Sequence, residues 1–332
     1  MTDQQAVRYR GILTTFAALV AIWGILGLID RPNVPFSGLH YQNGNLISFI
    51  SEDSPAEEAG VLVEDRVLSV NGVAVHGRRD IDLMPRPQVG ETQTFVIDRD
   101  GEQISLELTQ AGLPMMPMLF SIIGISFLAA GLWAYLKVPT PRTLVLCLAG
   151  IGLGATISPG PYFSSYGLRL VASSIDVSFP LIGFAFFLLF LLMFPSPKAL
   201  VSKKTAILLI LGPPILIALT DLVLALFGTE ATAGLESLLR LLGGVLVLVY
   251  LLLGLVAAGH SYFTASKIQR SEWGLNMMLG GLVLGIVPIL LVDLVVLSLG
   301  IEFGGAQFAF VMLAMVPISL ALAAVKKEKS QP

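Results

Sequence analysis

The chain has 332 residues, 55% of them hydrophobic and 13% charged, and its mean hydropathy is +0.82. That is too apolar for a soluble globular protein of ordinary make-up and places the chain in a bilayer. The net charge of -3 is small and the basic residues sit in short clusters beside apolar runs, so nucleic acid has no electrostatic footprint to bind.

The first apolar run, roughly residues 11 to 29, follows Arg8 and Arg10 and ends at Asp30 and Arg31. It is long enough to cross a ~30 Å hydrocarbon core. With no small-x-small cleavage site at its end, it reads as an uncleaved anchor rather than a signal peptide. Residues 33 to 112 then bring acids, bases, turn glycines and short alternating segments such as Thr92 to Ile97 and Gln103 to Leu108, the pattern of a soluble β-rich domain. From Leu113 the chain is nearly continuous hydrocarbon, and helices are expected at about 115–136, 143–160, 171–194, 205–228, 236–262, 274–299 and 305–325. The span at 143–160 is eroded by Ser158, Pro159, Gly160 and Pro161. Cys147, the single cysteine, lies inside an apolar run. It excludes an intramolecular disulfide and a CxxC pair and reads as a small core residue.

Lysines and arginines in short flanks set orientation. Lys137 and Arg142, then Lys198, Lys203 and Lys204, then Lys267 and Arg270, then Lys326, Lys327 and Lys329 alternate with unpopulated loops and agree with Arg8 and Arg10. Both termini are therefore expected in the cytoplasm, with the soluble insert and the loop around Glu230 and Glu236 outside. Arg169, in an outward loop, dissents.

Within the insert, Ser54-Pro55-Ala56 caps and opens a short helix and Ala59-Gly60 ends it. Asp65-Arg66 starts a strand and Asn71-Gly72 makes the tight turn after it. Val89-Gly90-Glu91 then leads into a strand pair turning at Asp100-Gly101. This run resembles the core signature of bacterial PDZ domains. With the spans and orientation above, the expected fold class is an all-α transmembrane bundle of about eight helices with an inserted extracytoplasmic PDZ-like α+β domain, in a bacterial inner membrane. The expected boundaries are 1–32 for the tail and anchor, 33–113 for the insert, 114–325 for seven helices and 326–332 for a cytoplasmic tail. The resemblance implies a carboxylate-binding loop at Phe36, Ser37, Gly38 and Leu39. A peptide C-terminus would lie between these residues with His40 on one side and Ile81 and Met84 on the other, added as a strand. Pro85 and Pro87 interrupt the second wall, limiting its helix to about two turns. The alternative is a PDZ-like domain that packs on the membrane part and binds no free peptide.

Ionisable residues within spans cost about 2.5 to 3.5 kcal/mol each at mid-membrane. Asp176, Asp221, Arg240 and Asp293 all fall at similar depth in the outer third, so an intramembrane polar cluster built on Arg240 with Asp221 or Asp293 is expected. Snorkelling or capping at the interface is the alternative. A weak internal echo, Pro214-Ile215-Leu216 before Asp221 and Pro288-Ile289-Leu290 before Asp293, keeps a transporter in view.

Catalytic motifs are sparse. The three histidines, His40, His76 and His260, form no HExxH pair, and neither a GxSxG element nor a GxxxxGK[ST] loop occurs. No metal and no cofactor is expected on this ground, and the chain is expected not to be an enzyme. The order of anchor, outward PDZ-like domain and further spans, with a Phe194-Pro195-Ser196-Pro197 exit, resembles the input module of bacterial sensor histidine kinases of the competence-pheromone receptor type. The chain carries no phosphoacceptor histidine or ATP-binding region after Lys326. The expectation is a non-enzymatic receptor or scaffold that binds a peptide or protein C-terminus, contacts membrane lipid and passes its state to a cytoplasmic or membrane signalling partner. The alternatives are a small transporter or lipid-handling protein, and an adaptor that regulates a protease.

Overall fold

The computed structural model describes residues 3–42, 45–77, 80–81, 84–112, 117–163, 165–227, 232–299 and 307–330. The chain forms two compact units, one of Met1–Leu28, Met116–Gly160 and Val171–Pro332, the other of Ile29–Met115 and Pro161–Leu170.

The larger unit is helical: α1 Asp3–Asp30, α3 Pro117–Lys137, α4 Pro141–Ile157, α5 Tyr166–Met193, α6 Lys204–Phe227, α7 Ala233–Thr264, α8 Lys267–Glu272, α9 Leu275–Leu299, α10 Gln307–Val311 and α11 Met315–Lys329. Among the described residues seven helices are long and apolar enough to cross a membrane, in agreement with a multi-pass membrane protein. The expected span at 143–160 is α4, whose 17 residues reach only about 26 Å at ~1.5 Å per residue, short of the ~30 Å core. Ser158 and the prolines after it end the helix. Thr140 starts it with a capping box, its hydroxyl accepting from Thr143 N–H.

Helices in a bilayer gain little from hiding apolar surface from lipid, so close backbone approach and buried hydrogen bonds carry their packing. α3 lies along α4 and α9 along α11. Where α4 meets α5, a Cβ on Gly152 would stand 2.6 Å from Gly183 Cα, so these backbones touch. Tyr250 O–H on α7 donates to Ile210 O on α6 at 2.6 Å. Past the end of α5, Lys198 Nζ donates to Ser261 Oγ on α7 at 2.6 Å and to Leu191 O at 3.3 Å, tying a helix C-terminus with free carbonyls to its neighbour. Cys147 is fully buried.

The smaller unit is a sheet with short helical pieces. β2 Leu39–Gln42, β3 Leu46–Ile50, β4 Arg66–Val70, β6 Thr92–Arg99 and β7 Glu102–Thr109 lie in that order, with β5 Val73–Ala74 beside β4. β1 Pro35–Phe36 pairs with β8 Ala111–Gly112, and α2 is Pro55–Glu58. Its core is Ile47, Ala56, Val61, Val67, Val70, Val75, Phe95, Ile97 and Leu108. The alternating burial of β6 follows from one face of the sheet being packed. Left-handed residues stand at the turns read from sequence: Asn71 and Gly72 have φ of 50° and 76°, Asp100 and Gly101 of 54° and 87°, the sign that tight hairpin turns require.

One ion pair locks this unit. Asp65, 2% exposed, takes Arg99 Nε at 2.8 Å and Nη2 at 2.7 Å, accepts Leu62 N–H at 2.8 Å, and Arg99 also reaches Gly60 O. Burial alone raises the Asp65 carboxyl, but the Arg99 hydrogen bonds, the Leu62 N–H and the Arg99 charge together hold it below its ordinary value of 3.8. Such a group stabilises the fold above the unfolded value, and that stabilisation is lost as pH falls through the lower folded one. Asp65→Asn is therefore expected to cost the unit about 1–3 kcal/mol near neutral pH, with the gap to the parent narrowing in acid. Denaturant unfolding of both proteins at neutral and acid pH measures this, and a pH-independent gap counts against it.

Candidate functional site

The loop between β1 and β2 is built by opposed peptide planes. Ser37 C=O accepts Ala56 N–H at 3.0 Å and Gly38 C=O accepts Ser51 N–H at 3.0 Å. In a trans peptide the N–H points opposite to the C=O. Gly38 N–H therefore points away from Ala56 on α2 and Leu39 N–H away from Ser51, two successive backbone donors of the kind that forms anion-binding nests. Leu39 N–H reaches Ser37 Oγ at 3.2 Å, and Gly38 N–H has no partner among the described residues. The loop has this shape because Gly38 has φ +80° and its Cα approaches Ser54 so closely that an added Cβ would overlap the Ser54 side chain. Ser54 is fully buried and caps α2, its Oγ accepting Glu57 N–H at 3.3 Å.

β2 lies at one edge of the sheet, the position at which a further strand adds to a sheet. Leu39, Ile81 and Met84 are half-buried and pack on the same core cluster. His40 is exposed, with its Nε2 3.0 Å from Ser51 Oγ and its ring 5.2 Å from that of Phe49. Phe36 is half-buried in β1. In the second wall, Asp80 and Ile81 are helical and Met84 N–H donates to the carbonyls of Asp80 and Ile81. Asp80 Oδ2 accepts His76 N–H at 2.8 Å, and the segment then reaches Pro85.

A contact absent from the sequence reading holds that wall from behind. Arg169 Nη2 donates to Met84 O at 3.4 Å, the Arg86 guanidinium lies 5.3 Å from the centre of the Tyr162 ring, and Tyr162 N–H donates to Asp30 Oδ2 at 2.8 Å. Residues 161–170 thus form a strap of the smaller unit, and the dissenting charge of Arg169 was the one trace of it in the sequence.

The expected intramembrane residues are more scattered. Asp221 is buried in α6. Arg240 is exposed on α7 and Asp176 exposed on α5. No ion pair joins Asp221 to Arg240 among the described residues. The Asp293 side chain, on α9, lies outside the described residues.

The family model of the PDZ domain matches residues 47–83. Over 64 residues, 19% of this chain and 17% of the relative, the chain is 34% identical to a protein of Mesorhizobium japonicum named as a zinc metalloprotease. Over 144 residues, 43% of this chain and 32% of the relative, it is 27% identical to a protein of Enterococcus faecalis named as the protease Eep. The chain thus spans less than a third of the length of either curated relative. Among solved structures, the HtrA-type protease AlgW with a decapeptide is 20% identical with a TM-score of 0.23, covering 25% of this chain and 30% of that one. A serine endoprotease from Yersinia pestis is 26% identical with a TM-score of 0.23, covering 25% and 31%.

These relatives correct two expectations. The chain is similar to proteins named as proteases, which overturns the likeness to a sensor-kinase input module and, with it, the reading as a non-enzymatic receptor or scaffold. Anchor, PDZ and spans are an arrangement that receptor and protease can share, because order of parts carries no chemistry. The name of one relative implies zinc. His40 and His76 belong to the sheet unit and His260 to α7. No group of three or more His, Cys, Asp or Glu among the described residues is placed to hold a metal ion. The described side chains do not fit a zinc site, and no chemical step follows from one.

The loop geometry makes a sharp prediction. Gly38→Ala adds both a φ penalty and an overlap with Ser54, whereas Gly60, at φ +78°, has nothing within 4 Å of its Cβ position. Gly60→Ala is expected to cost about 1 kcal/mol and Gly38→Ala at least about 2 kcal/mol more, on the scale of overpacking. Urea titrations read by protease cleavage within residues 29–115 compare the two, and equal costs would count against the close approach.

Proposed function

We propose that the chain works in membrane proteolysis as a peptide-handling adaptor: its PDZ unit takes the C-terminus of a polypeptide on the extracytoplasmic side and governs that polypeptide's access to a membrane peptidase. One observation carries this reading. The likeness to the protease Eep runs over 144 residues, longer than the whole of residues 29–115, so it takes in part of the apolar helices. A likeness that reaches the membrane part, beside a PDZ match at residues 47–83, favours a role in proteolysis at the membrane.

The site supports the peptide part. Gly38 and Leu39 offer two successive N–H donors in one loop, enough to hold a carboxylate by charge-assisted hydrogen bonds. The edge strand β2 accepts an extended chain by β-augmentation. Leu39, Ile81 and Met84 offer an apolar seat to the last side chain, so the preferred ligand ends in an aliphatic residue. The lysine and arginine flanks favour an extracytoplasmic PDZ unit with cytoplasmic termini.

The full chain in lipid nanodiscs, titrated with a labelled peptide ending in valine, tests this. A free C-terminus is expected to bind about tenfold or more tightly than the same peptide amidated, the scale of a lost hydrogen bond to a charged group. Equal affinity for the two peptides, or none for either, would remove the carboxylate site from the account.

A further inference from the structure

The carboxylate loop carries a competitor for its own donors. Of the two successive N–H groups, Gly38's has no partner among the described residues, while Leu39's is engaged at 3.2 Å by Ser37 Oγ, from two positions earlier in the same loop. The backbone has no freedom to separate them. Ser37 and Gly38 carbonyls are held by Ala56 and Ser51, and Gly38 is pressed on Ser54. The Ser37 side chain, by contrast, turns about a single χ1 bond between staggered wells.

We infer that Ser37 limits the affinity of the site for peptide C-termini: its hydroxyl occupies the Leu39 donor, and an incoming carboxylate has to displace it before both donors serve the ligand. This rests on the peptide-terminus reading above and adds a regulator to the same site. The displaced hydroxyl recovers its hydrogen bond only by rotating to another acceptor or to water, so each binding event breaks one bond to make another. A net hydrogen bond is worth a factor of about two to ten in affinity. The consequence is a site that samples carboxyl termini and releases them quickly, which suits a module that passes polypeptides on. An amidated peptide, which gains little from the nest, is indifferent to Ser37.

Ser37→Ala and Ser37→Thr in the full chain, in nanodiscs, test this with the valine-terminated peptide in its free and amidated forms. Ser37→Ala is expected to tighten the free-carboxylate peptide about twofold to tenfold, chiefly through slower dissociation, and to leave the amidated peptide unchanged. Ser37→Thr, which keeps a hydroxyl, is expected to stay within about twofold of the parent. Carboxylate-selective binding that is equal or weaker in Ser37→Ala overturns the role of Ser37 alone. Binding by parent and both variants that ignores the carboxylate overturns the peptide-terminus reading beneath it.

Discussion

The close approach of Gly38 to Ser54 is the contact on which the functional surface depends. It places a fully buried hydroxyl under a loop that bends through a left-handed residue, and the same hydroxyl caps α2. The helix start, the loop and the first residue of the edge strand are therefore one object. Two carbonyls are held by Ala56 and Ser51, and peptide planarity then turns the Gly38 N–H away from the first and the Leu39 N–H away from the second. No side chain of the nest needs positioning, because backbone supplies the donors.

The helical unit answers a different constraint. In hydrocarbon every backbone polar group must be satisfied within the protein, which the long helices do themselves except at internal prolines, where Pro214 leaves Ile210 O to the Tyr250 hydroxyl, and their packing is left to small residues and a few buried polar contacts. The meeting of Gly152 with Gly183 is one kind; the Lys198 link between Ser261 and Leu191 is the other. α5 has special standing, since its first residues, up to Leu170, belong to the unit that carries the strap, and its remainder lies among the helices. Within the smaller unit, Arg169 at the start of that helix holds the second wall of the groove through Met84 O.

What the sequence disclosed followed the range of its signals. Turn chemistry is local, so Ser54, Asn71-Gly72 and Asp100-Gly101 marked the insert as PDZ-like, and run length marked the spans. The Gly38 loop was found through the resemblance, but its reason, contact with Ser54 sixteen positions later, was not. The strap was out of reach because Arg169 and Met84 are 85 residues apart; only its charge on the wrong side of the orientation pattern hinted at a partner. Asp221 and Arg240 were matched by depth, which fixes height along a helix but not the direction a side chain faces, and one proves buried and the other exposed. Function was the least legible. The arrangement of anchor, insert and spans is shared by unlike chemistries, and the receptor reading fell to the protease relatives.

Cleavage of a membrane-anchored reporter with a free extracytoplasmic C-terminus, followed in bacterial membranes with and without this chain, tests the central claim most directly. The account predicts a cleavage rate that changes when the chain is present and returns to the chain-free rate when the reporter terminus is blocked. The same rate with and without the chain, whatever the state of the terminus, would contradict a place for it in membrane proteolysis.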